Sequence, residues 1–145
     1  MNKRILGFGF LIFWNSFIIQ AQSSDSLKVR PGAGGPPTPV TVTIFVVDLR
    51  DIEGVRQNFT ADVLVRLQWK DPRLASNEPL RKLPADQIWN PGIQIVNRTS
   101  IQTTLPEFLD VDHEGNINYR QRFIGEFSCW LNLSEFPFDK QLIPI

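Results

Sequence analysis

The chain has 145 residues, and its 15 basic and 15 acidic side chains give a formal net charge of zero. This length suits one modest domain, and the balanced charge offers no basic surface to attract nucleic acid. A single cysteine excludes a disulfide within the chain, and a single histidine argues against a histidine-based metal site. We therefore expect a globular domain with no nucleic-acid partner, no metal and no cofactor.

The first 21 residues have the layout of a secretory signal peptide. Two basic residues follow Met1, an apolar run covers residues 5–19, and Ala21 offers a small side chain at the cleavage point. A run of roughly 15 apolar residues is shorter than the ~20 that a membrane-spanning helix needs. The sequence predicts cleavage after Ala21, with an uncleaved N-terminal anchor as the alternative. In either case the remaining chain is exported.

Residues 22–39 form a leader that is rich in proline and glycine. The stretch from Pro31 to Pro39 has almost no side chains that could contribute to a core. This composition predicts a flexible, partly extended segment. The folded part is then expected to begin near Val40 and to cover residues 40–145.

Beyond the leader the hydrophobic pattern has a period of two, which indicates β-strands. The alternation from Val40 to Ile44 predicts a first strand, and residues 51–54 predict the turn that follows it. The second strand has one apolar face, formed by Phe59, Ala61, Val63, Val65, Leu67 and Trp69. Leu64 is the exceptional apolar residue on the opposite, polar face.

The second half of the chain continues the pattern of short strands and turns. Residues 74–87 are predicted as loop, residues 93–96 and 99–105 as strands, and residues 112–116 as a hairpin turn. The longest alternating run follows, with apolar residues at one parity: Ile117, Tyr119, Phe123, Phe127, Cys129, Leu131 and Leu133. Strands with turns every ten residues or so predict an all-β sandwich without a helix beyond the signal.

The sequence offers little for catalysis or for metal binding. The acidic stretch from Asp110 to Gly115 resembles the start of a calcium loop, but its twelfth position is Gln121, where a glutamate is required. We therefore interpret it as an acidic hairpin turn. A serine or cysteine nucleophile needs a base, and the only histidine, His113, lies in that turn. We predict that the protein is not an enzyme, and that Cys129 is a core thiol.

Several motifs occur in a characteristic order, and their positions are Trp69, Asp71, Trp89, Pro91, Cys129, Phe136, Pro137, Phe138 and Asp139. Together they resemble the pentameric ligand-gated ion channels, the Cys-loop receptors and their bacterial relatives, over roughly residues 40–145. The resemblance implies an immunoglobulin-like β-sandwich, here incomplete at its C-terminus. It also implies a pentamer of identical or related subunits, a small-molecule ligand bound between neighbours, and a transmembrane domain that these residues do not include.

The resemblance assigns coupling roles to two loops that face the membrane domain in this family. The first contains Asp51, Ile52 and Glu53, and the second is the tip of the signature loop at residues 136–139. Cys129 stands where the family has its first signature cysteine, whereas Ile143 occupies the place of the second. The signature disulfide therefore does not form, as is usual in bacterial members.

The resemblance also suggests where a ligand would bind. Leu64 matches a position on the complementary side of the binding site, and Val96 matches one on the principal side. The later strands contribute near the complementary side through Asn118, Tyr119 and Arg120. Because neither Leu64 nor Val96 has an aromatic ring, these positions do not build an acetylcholine-like cage for an ammonium group.

The sequence thus predicts the extracellular ligand-binding portion of a ligand-gated channel subunit, present as a truncated chain. We expect that this portion alone is not a stable, ligand-competent domain, because the second sheet would lack strands. One alternative is a secreted, pore-less binding protein of the same family. A less favoured alternative is an adhesion or scaffold sandwich. Each of these interpretations places the chain outside the cell or in the periplasm.

Overall fold

The computed structural model describes residues 25–131 and residue 143. These residues are nearly all β, apart from a one-turn helix α1 (Asp25–Lys28) and a 3-10 turn (Pro72–Leu74). The six strands are β1 (Thr41–Glu53), β2 (Asn58–Lys70), β3 (Leu80–Pro84), β4 (Arg98–Thr103), β5 (Phe108–Asp112) and β6 (Asn116–Ser128). They form one antiparallel sheet in the order β1-β2-β6-β5-β3, and β4 also pairs with β6. The predicted all-β class is confirmed.

The core lies on the face of β2 and β6 that the period-two pattern predicted. All six apolar-face residues of β2 are buried, and so are the predicted apolar residues of β6, which are Ile117, Tyr119, Phe123 and Phe127. Phe59 and Phe127 pair across the two strands, and their rings stack with centroids 5.4 Å apart. Leu109 and Val111 of β5 complete this layer, while Ile88 and its neighbours in the loop before β4 cover it. Burial of this continuous apolar face is the main source of stability.

Strand β1 lies at the edge of the sheet and is exposed along most of its length. Its register places Val42, Ile44 and Val46 opposite Leu67, Val65 and Val63 of β2. Directly paired residues share a face of the sheet. The β1 side chains therefore extend the core face, yet each remains about half exposed. In the part of the chain that the structure describes, this apolar surface is left open.

The structure corrects three of the predicted secondary-structure assignments. The first turn lies at residues 54–57 rather than 51–54, because Asp51 adopts a positive φ of 52° and an irregular register lets β1 continue to Glu53. The predicted loop 74–87 contains β3, which pairs with the unpredicted β5. Residues 93–96 are not a strand, since they follow a positive-φ Gly92 and pack Ile93 and Ile95 on the core without strand partners.

The leader from residue 26 onward makes specific contacts that its composition did not predict. The guanidinium of Arg30 donates to the carbonyls of Pro36 at 2.7 Å and Gly32 at 3.1 Å, and to Thr38 Oγ1 at 3.0 Å. The Trp89 amide donates to the Leu27 carbonyl at 2.7 Å. One arginine thus organises the glycine- and proline-rich loop. The predicted signal peptide lies outside the described residues.

Candidate functional site

The outer surface of strands β2 and β6 carries charged and polar side chains at neighbouring positions. We call it the β2–β6 polar face and define it by Asp62, Leu64 and Arg66 of β2 and by Asn118, Arg120 and Arg122 of β6. The register pairs Leu64 with Arg122, and Arg66 with Arg120, so that these side chains project from the same side of the sheet. Three of the predicted ligand-binding residues, Leu64, Asn118 and Arg120, are brought together here.

Two of the three arginines on this face are neutralised by carboxylates. The Arg122 guanidinium donates two hydrogen bonds to the Asp62 carboxylate, and the bond from Nε to Oδ1 measures 2.7 Å. The guanidinium of Arg122 lowers the pKa of Asp62 below its ordinary value, and the carboxylate raises the pKa of Arg122. Arg120 donates to Asp110 of β5 at 2.7 Å. These pairs hold the two side chains in place and cancel most of their charge.

Arg66 is the exception on the β2–β6 polar face. Its Nε donates to Oδ1 of Asn118 at 2.7 Å, so that a neutral amide orients the guanidinium. Among residues 25–131, no carboxylate lies within ion-pair distance of Arg66, although Arg120 and Arg122 each have one. A guanidinium in this state offers a planar pair of donors to a carboxylate. Asn118 therefore orients the Arg66 guanidinium without neutralising its charge.

An aromatic side chain adjoins this arginine. Phe45 of β1 is paired with Leu64, and its side chain is half exposed. The two residues form an apolar patch beside Arg66, whose own partner on β1 is Thr43. Sequence reasoning singled out Leu64 but neither Phe45 nor Arg66. Two signals were available, because Arg66 follows Leu64 by one strand period and Phe45 interrupts the alternation of β1.

Val96 lies near the edge of β6 that is opposite to β2. It occupies a turn immediately before β4, and β4 pairs with the edge of β6 that does not contact β2. Asn97 fixes the turn, because its carbonyl accepts from the Ser128 amide at 2.7 Å and its Nδ2 donates to the Ser128 carbonyl at 3.1 Å. Val96 itself is 92% exposed. The structure therefore does not bring Val96 and Leu64 together within one chain.

Tyr119 is placed in the core rather than on the β2–β6 polar face. It has the buried parity of β6, lies opposite Leu67, and is 6% exposed. Burial raises the pKa of Tyr119. Its neighbours Asn118 and Arg120 project from the opposite side of the strand, so Tyr119 supports this surface from beneath.

The comparisons with known proteins decide the family. Residues 22–142 match the family described as "Neurotransmitter-gated ion-channel ligand binding domain". The chain belongs to this family. The gamma-aminobutyric acid receptor subunit theta of Mus musculus is 30% identical over 128 residues, which are 82% of this chain and 20% of that protein. The chain thus spans about a fifth of the length of this relative.

Membership of the ligand-binding-domain family confirms the resemblance drawn from the motifs and the predicted β-sandwich class. Two of the motif tryptophans meet edge to face, with the ring of Trp69 5.9 Å from that of Trp89. The buried carboxylate of Asp71 accepts two hydrogen bonds from the Arg73 guanidinium, at 2.9 and 2.7 Å. Arg73 in turn donates to the carbonyls of Ser26 and Val29, at 2.8 Å each. These motif residues therefore fasten the N-terminal segment to the sheet, while Pro91 is exposed beside Trp89.

The predicted coupling residues of β1 lie at the end of the sheet that contains the β1–β2 turn. Asp51, Ile52 and Glu53 form the last three residues of β1, and Ile52 is half exposed. Cys129 is buried at the same end, and burial raises the pKa of its thiol. The signature-loop residues 136–139 lie outside the described residues. No helix among residues 25–131 is long and apolar enough to cross a bilayer.

Proposed function

We propose that this chain is the extracellular ligand-binding part of a receptor subunit, and that it binds a small carboxylate-bearing ligand at the β2–β6 polar face. The observation that carries the proposal is Arg66, an oriented guanidinium with no carboxylate partner among residues 25–131. A partly buried cation that lacks a carboxylate partner, beside two neutralised arginines, is suited to bind an anionic group.

The site requires a second copy of the chain or a related subunit. Leu64 and Arg66 lie on the β2 side of β6, whereas Val96 lies on the β4 side. In a ring of subunits, the β4 side of one copy could lie against the β2 side of the next. Val96 of one subunit would then face Leu64 and Arg66 of its neighbour, with the ligand bound between them. Such a head-to-tail contact is heterologous, and a closed ring results when its rotation closes. This agrees with the pentamer implied by the family.

The ligand chemistry follows from the residues that surround Arg66. The guanidinium would take the carboxylate, and the patch formed by Phe45 and Leu64 would contact the aliphatic part of the ligand. Gamma-aminobutyric acid, after which the mouse relative is named, combines a carboxylate with a short aliphatic chain. We therefore use it as the probe.

Binding should be measured by calorimetry on the full gene product, including any residues encoded after Ile145. A charged hydrogen bond is worth roughly 1.5–3 kcal/mol, so Arg66→Gln should weaken gamma-aminobutyric acid binding about 10- to 100-fold. Arg56→Gln, which removes the same charge from the exposed β1–β2 turn, is the matched control. Butylamine, which lacks the carboxylate, should bind weakly. Equal losses in the two variants would refute the role of Arg66.

We further propose that binding is coupled to a membrane pore through Asp51, Ile52 and Glu53 and through residues 136–139. The family and the half-exposed Ile52 at the end of β1 support this proposal. The gene sequence after Ile145 tests it directly. A pore of this family requires apolar segments of ~20 residues each. A reading frame that completes a domain and then stops would favour the secreted, pore-less alternative.

A further inference from the structure

The side chain of Gln57 joins the β1–β2 turn to the segment that follows β6, at the end of the sheet that contains Asp51, Ile52 and Glu53. Its Nε2 donates to the Leu131 carbonyl at 3.2 Å, and its Oε1 accepts from the Leu131 amide at 3.4 Å. The Gln57 carbonyl also accepts from the Cys129 amide at 2.9 Å. One residue of the β1–β2 turn thus makes three hydrogen bonds to the backbone that leaves β6. We call residues 129–131 the exit segment.

The backbone of Gln57 is held in an uncommon conformation to make these contacts. Its φ is 55°, in the left-handed region that residues other than glycine seldom adopt. Such conformations persist where surrounding contacts over-determine them, and they concentrate at functional positions. At Gln57 the three bonds to the exit segment supply those contacts.

The clamp sets which side chains the exit segment presents. Cys129 and Leu131 are buried at 6% and 5% exposure, whereas Trp130 between them is 83% exposed. On the turn itself, Val55 is 97% exposed. Two apolar side chains are therefore displayed at the same end of the sheet, one on each of the segments that Gln57 joins.

We propose that Gln57 is a positioning residue that locks the exit segment to the β1–β2 turn, so that the two move as one unit. The proposal rests on the proposed function, because the turn adjoins Glu53 and the exit segment leads to Phe136, five positions beyond Leu131 in the sequence. A displacement of either segment would then reach both coupling loops together.

Hydrogen exchange followed by mass spectrometry tests the clamp in the full gene product. Gln57→Asn keeps an amide and tolerates a positive φ, but its side chain is one methylene shorter and cannot reach Leu131. We expect the Leu131 amide to exchange about tenfold faster in this variant, since it loses its acceptor. Gln57→Glu keeps the acceptor and loses the donor, so its exchange rate should lie between those of Gln57→Asn and the native protein.

The controls separate a positioning role from a general effect on stability. Peptides from the paired regions of β2 and β6 should exchange at native rates in both variants, and Val55→Ala should leave the exit segment unchanged. Unchanged exchange at residues 129–131 in both Gln57 variants would overturn the proposal. Faster exchange throughout the sheet would also overturn it, because that result describes a merely structural residue.

Measurements with gamma-aminobutyric acid distinguish this inference from the proposed function. Gln57→Asn should leave the Kd for gamma-aminobutyric acid within about twofold of native, because Gln57 is remote from Arg66 along β2. The same variant should abolish any protection that the ligand confers on residues 129–131. If the native protein does not bind gamma-aminobutyric acid, the ligand proposal fails, while the exchange rates without ligand still decide whether Gln57 clamps the exit segment.

Discussion

Two glycines with almost the same φ angle allow the energetic cost of one close approach in the fold to be measured. Gly115 has a φ of 79° and Gly92 a φ of 74°. A Cβ built on Gly115 would lie 2.3 Å from the Asp71 carbonyl oxygen, whereas a Cβ on Gly92 would meet nothing within 4 Å. Gly115→Ala and Gly92→Ala therefore share the conformational cost of a positive φ and differ in the steric contact.

The expected magnitudes follow from these two terms. Placing alanine at a positive φ costs about 1–2 kcal/mol, which is the whole effect expected for Gly92→Ala. In Gly115→Ala, the Asp71 oxygen would have to retreat by 1.1 Å to go from 2.3 Å to an ordinary contact of 3.4 Å. Asp71 cannot retreat freely, because its amide donates to the Gly115 carbonyl and its carboxylate is held by Arg73. We expect Gly115→Ala to cost about 3–5 kcal/mol in total.

Urea unfolding of the full gene product, followed by tryptophan fluorescence, provides the assay. The midpoint urea concentration should fall further for Gly115→Ala than for Gly92→Ala, with the slope m unchanged in both. Equal midpoints for the two variants would refute the reasoning, since they would show that Asp71 yields without cost. A changed slope would show instead that the substitution altered the denatured state or broke two-state unfolding.

Three further predictions concern the ion pairs and the thiol. Arg73→Lys should speed tryptic cleavage after Lys28, because lysine cannot hold both Asp71 and the carbonyls of Ser26 and Val29, whereas Arg56→Lys should not. Asp62 has a lowered pKa, so its ion pair stabilises the fold above about pH 3.9 and loses this effect as the pH falls through the folded pKa. Asp62→Asn should flatten that acid limb of melting temperature against pH, unlike Asp86→Asn, and an unchanged limb would contradict the assignment. Cys129, whose pKa is raised by burial, should react at least about tenfold more slowly with a disulfide reagent at pH 8 than after unfolding in urea.

The elements that could be predicted from the sequence are those whose two faces differ in polarity. In β2 and β6 the alternation alone identifies the buried set, and every described member of that set is buried. Strand β3 lacks this contrast, and β5 shows it over only four residues, in which Leu109 and Val111 alternate with Asp110 and Asp112. Leu80–Pro84 carries two basic residues and ends in proline, and β5 follows the loop residues Pro106 and Glu107. Their pairing is recognised only when the two segments are seen side by side.

The contacts that define the candidate site depend on register, which one sequence does not determine. The pairing of Arg66 with Arg120, and of Leu64 with Arg122, joins residues more than fifty positions apart. A slip of one residue would turn the whole set to the other face of the sheet. The clamp between Gln57 and Leu131 spans 74 positions and involves backbone atoms on one side, so no residue type at position 131 could have signalled it.

The position of Tyr119 shows why the site must be interpreted from both sides of a subunit. The resemblance names Asn118, Tyr119 and Arg120 together, but successive residues of a strand point to opposite faces, and only two of the three reach the β2–β6 polar face. The strand order also separates Leu64 from Val96, because β6 lies between β2 and β4. The contacts that we propose between Arg66 and a ligand are therefore half of a recognition surface. The other half depends on which residues the neighbouring subunit places opposite Arg66, so two subunits that share this face could still select different carboxylates.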